Sequence, residues 1–257
     1  MLWIKDFFRK LNLNINLLMI IVSLDILLIL LDIGNLSNLV LKNNSCISLA
    51  DCLIASSNNF IFALCYIPLQ LFFIQNLMKY ELDTNFVLRN SNKHNLWNKM
   101  CIKILLVSIL FILLLSLFTC FIGSFYSVSC INWISKTSYY YSVILRINYS
   151  TQFHQVLIRF FLINILRALC TGIVFELIVW MSNKSIIAWL VVLTFNCFSV
   201  FFPNWSFLYG ETMSLQYTSW LGDYNYINLL PIILFLLSVY LLGYIMSSRK
   251  EFIDEKK

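Results

Sequence analysis

Asp25 and Asp32 stand seven residues apart inside a run rich in leucine and isoleucine. On an α-helix that spacing puts both carboxylates on one face. Arg167 lies near the middle of another apolar run, with Arg159 and Glu176 closer to its ends. A charge at such depth is costly and normally faces protein or a water-filled cavity. Two chemistries fit these residues. In one, Arg167 pairs with Asp25 or Asp32 across a helix interface as a structural ion pair. In the other, Asp25, Asp32, Arg167 and Glu176 line a translocation path. A catalytic centre is not indicated. His94 and His154 are the only histidines, too few for a histidine metal cluster. The eight cysteines match neither a zinc spacing nor a CxxC redox pair. HExxH, Gly-x-Ser-x-Gly and P-loop signatures are absent. Asp25 and Asp32 come from one helix, whereas an intramembrane aspartyl pair normally draws one carboxylate from each of two. The expectation is no catalytic residue, no metal and no bound cofactor; any ATP and Mg would sit in a partner subunit.

The elements that position these charges follow from the hydropathy. Of 257 residues, 60% are hydrophobic and 12% are charged; soluble domains run nearer a quarter charged. The apolar residues group into six runs, at about 15–33, 59–78, 102–125, 155–181, 185–202 and 227–246. A transmembrane helix needs about 20 such residues. The runs are continuous rather than alternating, which favours helices over a β-barrel. The predicted class is therefore all-α, a polytopic membrane protein with six transmembrane helices in one domain spanning 1–257. Residues 1–11 alternate apolar and charged positions at helical spacing and read as an amphipathic interfacial helix. No cleavage site follows the first run, so it does not look like a signal peptide.

The sidedness comes from Lys and Arg, which favour the cytoplasmic face. With the N-terminus inside, thirteen of the eighteen basic residues fall on the inner side. Three, Lys42, Lys136 and Arg146, fall outside, and Arg159 and Arg167 lie within the fourth run. Both termini are expected in the cytoplasm. The net charge of +6 is modest and dispersed, which argues against nucleic acid as a partner and leaves membrane lipids. The stretch 202–226 is rich in Trp and Tyr, residues of the membrane interface; it either dips into the membrane or covers its surface. Cys46 and Cys52 share the first outer loop, as a disulfide or as free thiols. The abundance of Asn, Ile, Lys, Phe and Tyr suggests an AT-rich, low-GC bacterial coding sequence.

Between the second and third runs lies an inner segment, 79–101, continuing to Lys103. It carries Glu81, Asp83, Arg89, Lys93 and Lys99 among Leu82, Phe86, Val87 and Leu88. Residues 92–95 look like a break, after which Leu96, Trp97 and Met100 open an amphipathic entry to the third span. Such a segment serves either as a docking surface for a cytoplasmic partner or as an interfacial anchor.

With Glu81, Phe86-Val87-Leu88-Arg89, Ser91, Trp97 and Lys99 ahead of the third span, the chain resembles the membrane subunits of bacterial ABC-2 type exporters. It is most similar to the small six-helix permeases that serve bacteriocin or lantibiotic export and immunity. The resemblance implies a permease in the bacterial plasma membrane, for a peptide or other amphiphilic substrate. It implies a cytoplasmic ABC ATPase as partner, and a second copy or a related permease. Glu81, Phe86, Leu88, Arg89, Trp97 and Lys99 would couple the chain to that ATPase. The stretch 202–226 would be a re-entrant gate, although Gly210 and Gly222 are its only glycines. The alternative is a non-transporting immunity, sensor or assembly subunit that binds a partner protein.

Overall fold

A hydrocarbon core offers no water to backbone N–H and C=O groups, so an apolar run must close its own hydrogen bonds. Each long run of this chain does so as a helix. A computed structural model describes residues 15–78, 93–145, 150–203 and 226–249, with positions 206, 208–210, 213, 215 and 217. Its helices are α1 (Ile15–Lys42), α2 (Leu49–Ser56), α3 (Asn59–Met78), α4 (Lys93–Ser124), α5 (Phe153–Ser182), α6 (Ser185–Phe201) and α7 (Leu230–Arg249). A 3₁₀ turn, Tyr226–Leu229, leads into α7.

Five of these are long and apolar enough to cross a membrane: α1, α3, α4, α5 and α7 with its leading turn. The fifth run of the sequence forms α6, a shorter apolar helix of 17 residues. At 1.5 Å per residue it extends about 25 Å, against about 30 Å of hydrocarbon. The protein is therefore an all-α, multi-pass membrane protein, with five full-length candidate spans and one short apolar helix among the described residues. The interfacial helix expected at 1–11 lies outside the described residues.

Two helix boundaries differ from the hydropathy reading. α1 continues to Lys42 instead of ending at 33. Asn35, Ser37 and Asn38 lower the hydropathy there, yet Leu36 and Val40 keep the helix's core face buried. α4 begins at Lys93, nine residues before 102, and its helix includes His94 and Asn95, so no break occurs at 93–95. The extra turns are held by α7. Trp97 Nε1 donates to the Tyr240 carbonyl (3.1 Å) and Tyr240 Oη to Asn98 Oδ1 (2.8 Å). The His94 ring stacks on Tyr244 at 4.2 Å, and its Nδ1 lies 2.9 Å from Ser247 Oγ. The Trp97 ring occupies the space over Gly243, where any Cβ would collide with the indole.

α3 is interrupted by a π turn at Phe62–Tyr66, closed by Ile67 N–H on the Phe62 carbonyl. Its cause is Pro68, which has no N–H to continue the ladder and whose ring crowds the carbonyl four residues back. The widened turn brings Tyr66 toward α1.

α5 is the central helix. Of its most apolar stretch, 61% is buried, against 28% for α1 and 22% for α7, whose outer faces remain exposed. Its neighbours approach closely at Gly172, where a Cβ would fall 2.7 Å from Ile104 Cγ2 and 3.1 Å from Ile74 Cδ1. α5 and α6 form an antiparallel hairpin through Asn183, in the left-handed conformation at φ 55°. Asn tolerates that region better than most residues. This hairpin turn marks one end of the bundle. At the other, the loop end, the strand-like residues Cys46 and Ser48 bridge to Ser138 and Ser129.

Candidate functional site

The buried polar residues of α5 recur at helical spacing. Asn164, Arg167 and Thr171 follow one another at three and four residues, so they share a face, and all are buried. Arg167 lies halfway along the thirty-residue helix. Its Nε donates to the Leu208 carbonyl (3.0 Å), and its Nη2 to the Met213 carbonyl and to Asn59 Oδ1 (2.7 Å each). Its Nη1 reaches Asn164 Oδ1 at 3.4 Å. The guanidinium also lies over the rings of Tyr209 (4.7 Å) and Phe62 (5.7 Å). A planar fork of five donors suits such a multiple contact, and aromatic faces stabilise it further. Asn59 Nδ2 closes the arrangement by donating to the Tyr209 carbonyl (2.9 Å).

These partners replace the ion pair considered from the sequence. Neither Asp25 nor Asp32 bonds to Arg167. Asp32 Oδ2 accepts one long hydrogen bond, from Tyr66 Oη at 3.4 Å. Asp25 Oδ1 is buried without a hydrogen-bond partner, beside Leu18, Ile21, Phe73, Val107 and Phe111. Arg167 instead ties the stretch between α6 and α7 to the bundle. Leu208, Tyr209 and Met213 are buried there, so this part of 202–226 packs into the loop end and not over it.

The polar line extends from Arg167 both ways along α5, toward the loop end through Asn164 and toward the hairpin end through Gln70 and Gln75. Ser57 Oγ donates to Asn164 Oδ1 (3.0 Å). Further along, Gln70 Nε2 donates to Ser108 Oγ (2.9 Å) and to the Ala168 carbonyl (3.2 Å). Gln75 Oε1 then accepts from Trp189 Nε1 (2.8 Å). A cavity opens at each end of this line. The one at the loop end, about 290 Å³, is lined by Asp32, Asn35, Ser57, Asn58 and Tyr217 among others. The one at the hairpin end, about 330 Å³, is lined by Gln75, Asn76, Glu176 and Asn183 among others. Between them the bundle is closed by the Gln70 bonds and the tight contact at Gly172.

A second buried charge organises the loop end. Asp51, at the first turn of α2, forms a capping box with Ser48. Its Oδ2 accepts from Ser48 N (2.8 Å) and Ser48 Oγ (2.7 Å), and its Oδ1 from Trp133 Nε1 (2.9 Å) and Tyr217 Oη (3.1 Å). Burial raises the carboxyl above its ordinary value, and the four hydrogen bonds oppose that rise. Three separate stretches thus meet on one carboxylate. Cys52, one residue on, is a free thiol that burial pushes up to about 12, and Cys46 is free as well. The two are not bridged.

Of the coupling residues, Glu81, Phe86, Leu88 and Arg89 lie outside the described residues. Trp97 is fully buried among α4, α5 and α7, with Trp180 edge-on at 6.0 Å. Its contacts are internal to the bundle. Lys99 is exposed. Glu176 is buried and lines the hairpin-end cavity. Asp51, Asn59, Gln70, Ser108 and Asn164 were not singled out by the sequence. For Asp51 a signal existed, since Ser48-Leu-Ala-Asp51 has the spacing of a helix-start box. The others are polar residues in apolar runs whose partners lie far along the chain.

The fold and this interior define the class: a multi-pass all-α membrane protein with a buried polar line. No protein-family model, curated protein or solved structure matches the chain.

Proposed function

We propose that this chain is the permease subunit of an ATP-driven exporter of the ABC-2 type, carrying a peptide or other amphiphilic substrate across a bacterial plasma membrane. The observation that carries this reading is the polar line along α3 and α5, with a cavity at each end and a closed centre at Gln70 and Gly172. A bundle built this way can open at one end while staying shut at the other. The chain brings no nucleotide-binding sequence, so ATP and Mg belong to a separate cytoplasmic subunit. A second copy or a related permease completes the path.

Coupling runs from 79–101 into α4. Glu81, Phe86, Leu88 and Arg89 are the docking residues of this reading, and Lys99, ten residues on in sequence from Arg89, is exposed. Trp97 is a transmitting residue. Its indole engages α7 through Tyr240 and α5 through Trp180, so a push on the start of α4 moves all three helices together.

The test is whether an ATP-binding protein is encoded beside it and co-purifies with it. Substrate-stimulated ATP hydrolysis should fall when Glu81 and Arg89 are both replaced. Wild-type assembly and turnover in that double variant would overturn the coupling assignment. Partner binding with no ATP-dependent transport would instead favour the immunity or sensor alternative.

A further inference from the structure

The loop-end cavity has a lining of its own chemistry, which the export reading does not use. Asp32, Asn35, Leu36 and Leu39 reach it from one face of α1, at spacings of three, four and seven residues. Ile54, Ser57, Asn58 and Ile61 supply the opposite wall, and Tyr139 and Tyr217 close it from two different loops. Its volume, about 290 Å³, is at the small end for ligand pockets. Asp32 is 8% exposed, and among the described residues it has no cationic partner. Its one hydrogen bond there, from Tyr66, is long at 3.4 Å. A buried carboxylate in this state is costly unless it takes up a proton or a counter-charge arrives. The Ser57 hydroxyl donates its one O–H to Asn164 Oδ1, which leaves its lone pairs to accept. Arg167 is itself engaged by two carbonyls and two amide oxygens, one of them the Asn164 Oδ1 that accepts from Ser57.

We propose that this cavity binds a small primary ammonium bearing a short aliphatic chain. The nitrogen is held by Asp32 with Ser57, and the chain lies along Leu36, Leu39, Ile54 and Ile61. The charge of the guest supplies what Asp32 lacks, and its three N–H groups find acceptors of both kinds. Tyr139 and Tyr217 add aromatic surface of the sort that attracts cations. The site stands independently of any ATPase.

The test uses the purified full chain in nanodiscs of zwitterionic lipid, titrated calorimetrically with n-butylammonium and with 1-butanol. The two probes are alike in shape and differ in charge. The expected result is roughly tenfold or more tighter binding of the ammonium, lost in Asp32→Asn. Leu39→Trp, at the half-exposed rim, should weaken it as well. Equal affinity for both probes in the wild-type chain would overturn the proposal, with no variant needed. So would ammonium binding unchanged in Asp32→Asn. Because no ATPase is present, failure here leaves the export reading standing, and failure of coupling leaves this site standing.

Discussion

Arg167 on α5 and the two aspartates on α1 are the same problem met in two ways. Each is a charged residue type placed among apolar side chains. Around Arg167 the protein supplies the partners: two backbone carbonyls, two amide oxygens and two aromatic rings. Around Asp25 and Asp32 it supplies almost none, one long bond to Asp32 and none to Asp25 Oδ1. The difference follows from position. α5 is central, so loops and helices converge on it from several sides. α1 is peripheral, and its polar groups meet a cavity or an apolar groove. A satisfied charge fixes structure, whereas an unsatisfied one is available to a ligand.

The sharpest way to break that contrast is Arg167→Leu. It leaves the Leu208 and Met213 carbonyls without their donor and takes a donor from the half-buried Asn59, a loss on the order of 3–5 kcal/mol at about 1–3 kcal/mol for each group left unpaired. The folded yield in membranes should collapse, and thermal unfolding in detergent should shift far down. Normal abundance with transport alone abolished would instead make Arg167 a path residue. Arg167→Lys should rescue little, because a single ammonium cannot reproduce the fork.

Asp51→Asn comes next, at about 1–2 kcal/mol, the range of a lost helix cap. An amide nitrogen would oppose the Ser48 N–H. The pH dependence has a definite sign. Burial raises the folded-state carboxyl above 3.8, so its contribution is fully present below that value. It is then lost as pH rises through the raised one. Unfolding midpoints of the wild-type chain should fall across that window, and Asp51→Asn should flatten the slope. An equal slope in both would remove Asp51 as its source.

Asp32→Asn should cost about 1 kcal/mol or less, since only one long hydrogen bond is at stake, while ammonium binding disappears. A large loss of stability would mean that Asp32 is a structural residue after all. The smallest effect belongs to Asp25→Val. It removes a buried, unpartnered oxygen from an apolar groove, so unfolding midpoints should stay level or rise slightly. A marked drop would show that Asp25 has a partner the contrast denies it.

Much of the fold was legible in the hydropathy. The second, fourth and fifth runs, at 59–78, 155–181 and 185–202, end within two residues of α3, α5 and α6. A continuous apolar run in lipid has one way to satisfy its backbone, and the sequence states its length. The C-terminal end of α1 and the start of α4 were not legible. There the residues are polar or mixed, and burial against other helices decides the matter, as Leu36 and Val40 do for α1 and Trp97 for α4. The site was legible in part. Asp32, Arg167 and Glu176 were marked by being charged where charge is expensive. Gln70, Asn59 and Ser108 carry no such mark, because uncharged polar residues are common in apolar helices.

The sequence by itself determined that this chain forms a multi-pass helical membrane protein and which of its residues must find special surroundings. Only the tertiary structure decided what those surroundings are. Arg167 binds Asn59, 108 residues away, and a carbonyl 46 residues away, not the aspartates of α1. Hydropathy is a local sum along the chain. Partnership depends on which faces of distant segments meet, and that is set by packing around α5.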